Sequence, residues 1–221
     1  MAKRLLVLGN KRYSSWSLRG WLTLRLAGVA FDEEIVDLGA PDAKARILQH
    51  NPAGLVPFLS DGEVQIGDSL AIGEYVNERY ANGRLLPDGF TERAQARAVI
   101  AEMHAGFTAL RTELPMDLGR EPAPVEDLNG PVLRDVERVL SMWESMRTHN
   151  ADQGEGLFGT LGLPDVMYLP VAARFFHYAI DMTSFPRAAA YCNHLMALPD
   201  YIAWRTEALL EAERPQYSRN G

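Results

Sequence analysis

Three short segments in the first seventy-odd residues carry side chains able to do chemistry. They are Tyr13-Ser14-Ser15-Trp16-Ser17, Asn51-Pro52-Ala53-Gly54-Leu55-Val56-Pro57 and Asp68-Ser69-Leu70-Ala71-Ile72. The first joins an apolar run to a helical pattern, where a serine caps a helix N-terminus and leaves a hydroxyl at its mouth. The second sets a proline, which has no N–H to donate, at the opening of a strand-like piece, so that piece belongs at an edge or a special turn. The third places a carboxylate and a hydroxyl before another helical pattern, where negative charge complements the helix dipole. Each segment also has a plain structural role as a cap or a turn. More familiar catalytic devices are missing: there is no phosphate-cradling glycine loop, no histidine pair at metal-ligand spacing on one helix, no Cys-x-x-Cys and no Gly-x-Ser-x-Gly elbow. Chemistry must come from subtler groups.

The elements that position these segments can be read from periodicity. Arg4 to Leu8 is a compact apolar run closed by Gly9-Asn10, which predicts a buried strand. Leu18, Leu22 and Leu26 recur four apart and predict a helix over 15–26, with Gly28 as its stop. Phe31, Ile35 and Val36 form a second strand candidate, and 41–49 a short polar helix or irregular turn. Val56–Leu59 and Val64–Ile66 flank Asp61-Gly62, a hairpin signal. A helix follows over 68–80, with Leu70, Ile72, Tyr75 and Val76 on its apolar side. The expectation is a small α/β domain over 1–82.

Turn residues Asn82-Gly83 and Pro87-Asp88-Gly89 mark a linker over 83–90. From 91 to 221 the pattern is helical, giving α/β plus all-α as the fold class. Leu133, Val136, Leu140 and Trp143 make an amphipathic stripe with Pro131 in its first turn. Val166, Leu169, Ala173, Phe176 and Ile180 predict a more apolar, central helix. Ala188, Tyr191, Cys192 and Leu195 predict another, and Asp200 is expected to cap a last helix running through Trp204 and Leu209. His104, Phe107 and Arg111 recur at helical spacing after Met103.

Composition bounds the function. The chain has 221 residues, 47% hydrophobic and 23% charged, an ordinary globular balance that argues against disorder. Its single cysteine, Cys192, cannot form an internal bridge and fits a reducing compartment. The formal net charge of −7 repels phosphate backbones, and the basic residues Lys3, Arg4, Lys11, Arg12 and Arg19 make only a short, broken cluster, so no nucleic-acid partner is expected. The first apolar run is too short for a secretory signal, and no stretch approaches the ~20 apolar residues of a spanning helix. The expectation is a soluble cytoplasmic protein with no membrane partner and no metal.

Side by side, the three segments resemble the N-terminal domain of glutathione transferases. Ser14-Ser15-Trp16-Ser17-Leu18-Arg19 is most similar to the serine-type families, especially the zeta class with its Ser-Ser-Cys-Ser signature. Trp16 stands where that signature has cysteine, and Asp68 where the class has glutamine. Val56-Pro57 and Ser69-Leu70-Ala71-Ile72 match directly, and Asp165-Val166-Met167-Tyr168-Leu169-Pro170 resembles the family's long core helix, with Gly162 where a Ser or Thr usually caps it. The resemblance implies a thioredoxin-like domain followed by a helical bundle, glutathione as co-substrate, and a two-fold dimer.

It also implies roles. The Ser69 hydroxyl and the N–H groups of its helix would take the γ-glutamyl carboxylate, and Asp68 the γ-glutamyl ammonium. Val56, turned outward by a cis bond to Pro57, would pair with the cysteinyl backbone like an added strand. Gln49 and His50 are candidates for the glycyl carboxylate. The thiol, ordinarily near pKa ~8.5, would lie by Ser14 and Ser15. A serine is too weak an acid to ionise, so its part is to donate a hydrogen bond that favours the thiolate, aided by the helix dipole. Ser14 is favoured over Ser15, and Tyr13 is a rival donor. His104, Phe107 and Arg111 would line the pocket for a small hydrophobic electrophile, with Arg174 and His177 as further candidates; Cys192 has the spacing of a core residue. The implied activity is thiolate attack on that electrophile. The alternatives are a zeta-like cis–trans isomerase of the maleylacetoacetate type and a non-catalytic binding module on the same fold.

Overall fold

β1 (Arg4–Gly9) is buried on both faces, with Leu6, Val7 and Leu8 all fully enclosed. Double burial is why the segment reads as a continuous apolar run and not as an alternation. In the computed structural model, which describes residues 4–213, β1 pairs in parallel with β2 (Asp32–Val36) and antiparallel with β3 (Phe58–Asp61). β3 turns at Gly62, whose φ is +63°, into β4 (Val64–Ile66), and the strand order is β2-β1-β3-β4. β2 is an edge strand, so only Val36 of its five residues is buried and Ile35 is exposed.

Helices cover both faces of this sheet. Leu6 and Leu8 join Leu18 and Leu22 of α1 (Ser15–Leu26) and Ile72 and Val76 of α3 (Ser69–Arg79) in the main core. On the other face Val7, Val36 and Phe58 enclose Ala43 and Ile47 of α2 (Ala43–Leu48).

The second half contains α4 (Phe90–Ala105), α5 (Thr108–Glu113), α6 (Gly130–His149), α7 (Leu163–His177), α8 (Pro186–Met196) and α9 (Pro199–Ala208). α7 is the apolar central helix, buried throughout except at Phe176. Trp143 of α6 packs beside it, 5.4 Å from the Phe175 ring and 5.1 Å from that of Tyr191 on α8. The architecture is a thioredoxin-like sheet layer followed by a helical layer, as the resemblance of the three segments implies. Residues 1–3 and 214–221, inside the expected first and last domains, lie outside the described residues.

Four details depart from the periodicity. His104, Phe107 and Arg111 do not share one helix face. The helix breaks at Gly106, Phe107 takes a left-handed φ of +54°, and α5 starts afresh. Such a φ is unfavourable for a bulky residue, and it is held by burial of the Phe107 ring 6.4 Å from that of Tyr168. Gly162 is more than a weaker cap. A Cβ there would come within 2.5 Å of the Leu85 carbonyl, which accepts from Leu163 N at 2.7 Å, so the close backbone crossing requires glycine. Asp165 serves this turn by accepting from Gly162 N, Leu157 N and the Tyr191 hydroxyl, each at 2.8 Å. α7 ends at His177, before Ile180. Finally, Leu198 occupies the cap position of α9, and Asp200 lies in the first turn, paired with Arg25 at 2.8 Å.

Candidate active site

The mouth of α1 is built from three serines. Ser14 is the N-cap, and its Oγ accepts from Ser17 N at 3.4 Å and lies 2.8 Å from Ser17 Oγ. Ser17 Oγ in turn accepts from Gly9 N at 2.9 Å and is fully buried. Hydroxyl protons rotate to suit their acceptors. The Ser14 hydroxyl donates to Ser17 Oγ, and by rotating it can turn its proton to an outside anion. Ser15, the first helical residue, accepts from Arg174 Nη2 at 3.4 Å. Both serines are nearly enclosed, at 9% and 8% exposure. The Tyr13 ring lies against the Arg12 guanidinium at 5.4 Å, a packing role.

Three arginines gather behind the serines. Arg19, fully buried, donates to Met167 O at 2.9 Å and Ser15 O at 3.0 Å. Arg174, on the last turns of α7, donates to Leu114 O and Pro170 O. Arg111 donates to Gly106 O at 3.1 Å. Trp16 binds the group together: the Arg19 and Arg111 guanidiniums lie 4.5 and 5.3 Å from its ring, and His104 meets it edge-on at 5.3 Å. Burial lowers all three arginines, Arg174 to about 10, which leaves Arg174 a cation at neutral pH. Among the described residues none of the three is ion-paired with a carboxylate.

The mouth of α3 is different. Asp68 is its N-cap, accepting from Leu70 N at 2.8 Å and Ala71 N at 3.0 Å, while its other oxygen lies 3.3 Å from His104 Nε2. His104 therefore touches both Asp68 and Trp16 and joins the two helix mouths. Ser69 is 2% exposed, and its hydroxyl has no hydrogen-bond partner among the described residues.

Between the mouths runs the Val56–Pro57 turn, whose peptide bond is cis. Pro57 packs on α1 at Gly20, where a Cβ would approach the ring to 3.0 Å. Asn51 braces the turn, donating to Leu55 O at 2.8 Å and accepting from Ala53 N at 3.1 Å. It also fills the space beside Gly67, just before Asp68.

The structure thus brings together Ser14, Ser15, Trp16, Asp68, His104, Arg111 and Arg174. Phe107 turns into the core, and His177 is held by Arg120 O at 2.5 Å, its basicity lowered by burial. At the end of α2, Gln49 is exposed and His50 pairs with Glu34 at 3.2 Å. Sequence reasoning missed Ser17, Arg19 and Lys44. Lys44 Nζ reaches Gly54 O at 3.0 Å and lies where a Cβ of Gly54 would stand, so a cation sits beside the Val-Pro turn. The lone lysine of a short polar helix was the available signal. Cys192 is buried, its thiol pushed up to about 12, which makes it inert.

Comparison with known proteins places this geometry. Residues 13–79, which span all three segments, match the glutathione S-transferase N-terminal domain family. A probable maleylacetoacetate isomerase of Vibrio cholerae is 28% identical over 205 residues, 89% of this chain and 93% of that one. A zeta-class glutathione S-transferase of Euphorbia esula is 27% identical over 85% of this chain and 84% of its own. The first domain belongs to the glutathione S-transferase N-terminal domain family. Relatives named as maleylacetoacetate isomerase and as zeta-class glutathione S-transferase are thus similar to the chain over most of its length. A solved maleyl pyruvate isomerase, described as a bacterial zeta-class glutathione S-transferase, shares the fold with a TM-score of 0.72 at 23% identity, covering 95% of this chain and all of that one. No helix among the described residues is long and apolar enough to cross a membrane, and no metal-holding group of His, Cys, Asp or Glu is found among them.

Proposed function

We propose that this family member binds glutathione across the two helix mouths and activates its thiol for attack on a small electrophile. The observation that carries the reading is Ser69: a buried hydroxyl without a partner among the described residues, in the first turn of a helix, beside a carboxylate. A buried polar group left unpaired is costly, and a ligand carboxylate is the acceptor that this donor and the α3 amides suit. Asp68 then meets the neighbouring ammonium, Val56 pairs with the cysteinyl backbone, and Lys44, whose Nζ lies at Gly54 beside the Val-Pro turn, joins Gln49 and His50 as a candidate for the glycyl carboxylate. The sulfur lies at the mouth of α1. Ser14, supported by Ser17, donates to it, and Ser15, polarised by Arg174, is the second hydroxyl. Hydrogen bonds and the helix dipole both favour the charged sulfur, and a shift of about one to two units stabilises the thiolate by roughly 1.4–2.7 kcal/mol. In this reading the protein is a cytoplasmic homodimer.

A second reading draws on the arginines. Cations without carboxylate partners beside the reacting sulfur suit an electrophile that brings its own carboxylates, and a glutathione-dependent cis–trans isomerase of a cis-enone diacid needs that. The test has two arms. Retention on immobilised glutathione, with a thiolate absorbance that titrates below the free thiol, supports the shared chemistry; its absence refutes both readings. Conjugation of a chloro-nitro aromatic against isomerisation of a cis-enone diacid then separates transferase from isomerase.

A further inference from the structure

The loop that carries the serines is held from the far end of the chain. Lys11 N donates to Glu211 Oε1 at 2.7 Å and Arg12 N to Glu211 Oε2 at 3.2 Å, so one carboxylate spans two successive amides. The matching carbonyls are also taken by the second half: Trp204 Nε1 donates to Lys11 O at 2.8 Å, and Leu118 N to Arg12 O at 3.2 Å. The side chains repeat the pattern. Lys11 Nζ, 1% exposed, lies between Glu33 and Glu207 and over the rings of Trp21 and Trp204. Arg12 is paired with Asp117 at 2.6 Å and Glu213 at 3.1 Å.

The loop's own backbone bonds are few: Tyr13 N and Ser14 N both reach back to Asn10 O, at 3.3 and 2.9 Å, and Ser15 N to Tyr13 O at 3.1 Å. Asn10, Lys11 and Arg12 are all buried, so water replaces a lost acceptor there poorly. Only Tyr13 stands between Arg12, the nearer of the two residues whose amides Glu211 holds, and Ser14. A donor must stand within a few tenths of an ångström of its ideal hydrogen-bonding position to stabilise an anion at full strength.

We propose that Glu211 is a positioning residue. Its carboxylate, by holding the Lys11 and Arg12 amides, fixes where Ser14 and Ser15 stand relative to the bound sulfur. This rests on the glutathione reading above. Glu211 is partly exposed and follows the last helix, so its replacement leaves the core intact.

The test compares the full-length wild type with Glu211→Gln and Glu211→Asp. Glutamine keeps the size and loses the second acceptor, whereas aspartate keeps the charge. In Glu211→Gln the pKa of the bound glutathione thiol is expected to rise by about half a unit to one unit, and kcat to fall about 5- to 10-fold, with the glutathione KM within about 2-fold. Glu211→Asp is expected to recover part of that loss. Amide exchange at Ser14 and Ser15, measured without glutathione, is expected to quicken in Glu211→Gln. A variant with wild-type thiol pKa, kcat and exchange but a lower Tm makes Glu211 a tether only and overturns the proposal. So does unchanged exchange by itself, whether or not glutathione binds. If wild type neither binds glutathione nor lowers its thiol pKa, the functional reading fails first and this role with it; quickened exchange in the variant would still record the physical latch.

Discussion

At the N-terminus of α1 the serine hydroxyls are all partnered, and at that of α3 the Ser69 hydroxyl has no partner among the described residues. At α1, Ser14 and Ser17 bond to each other, Ser17 accepts from Gly9 and Ser15 from Arg174, and buried arginines stand behind them. At α3, Asp68 caps two amides, but the adjacent Ser69 hydroxyl is buried with no partner among the described residues. Both ends have the same helix dipole and nearly the same residue types. The contrast lies in what the rest of the fold brings to each. α7 supplies Arg174 to one mouth, while the other receives only His104, through Asp68. A mouth already satisfied can tune an atom placed before it. A mouth left unsatisfied is suited to hold a ligand. Affinity should therefore live at α3 and reactivity at α1.

Mutations can break that division. Asp68→Ala should have the largest effect, weakening glutathione binding about 100-fold by calorimetry, since a charge-assisted contact of roughly 1.5–3 kcal/mol disappears. It also removes a helix cap, so Tm should fall by a few degrees. Unchanged affinity would end the role of Asp68. Ser14→Ala should act on the other side of the division. Affinity should stay within about 2-fold, the bound thiol's pKa should rise by about one unit, and kcat at neutral pH should fall about 10-fold. The sign follows from the thiolate being the reactive form: a raised pKa lowers its population at pH 7 and shifts the acidic limb of the rate profile upward. An identical titration curve would remove Ser14 from the chemistry.

Arg111→Gln sharpens the substrate question. It should raise the KM of a cis-enone diacid about 5- to 10-fold and leave a neutral aromatic within about 2-fold. Equal effects on both would show that Arg111 serves packing against Trp16. Ser69→Ala is the smallest and most diagnostic change. Glutathione affinity should drop about 3- to 10-fold while Tm stays level or rises slightly, because the unliganded protein loses an unpaired buried hydroxyl. A clear fall in Tm would mean that the hydroxyl has a structural partner.

Much of this site was legible as segments. Ser14-Ser15, Val56-Pro57 and Asp68-Ser69 announce caps and a special turn, because local backbone needs select those residue types. Their partners were not legible. The stripe His104-Phe107-Arg111 looked like one helical face, yet a break at Gly106 sends Phe107 into the core and leaves His104 and Arg111 on either side of Trp16. Periodicity counts residues and does not register a left-handed turn held by burial. Gly162 read as a poor cap, although a backbone crossing at Leu85, far away in the chain, excludes any Cβ there. Arg19 lay inside a helical pattern with nothing to mark it as buried.

By itself the sequence determined the strands, most of the helices and the three polar turns, since these follow from short-range periodicity, caps and breakers. Tertiary structure alone decided that Ser14 and Ser15 find partners while Ser69 has none among the described residues, that Glu211 reaches back across the chain to Lys11 and Arg12, and that three arginines share one place. Those outcomes depend on packing between residues far apart in sequence. Only a folded interior fixes which distant groups exclude water together, and with it the strength of every charge and hydrogen bond at the site.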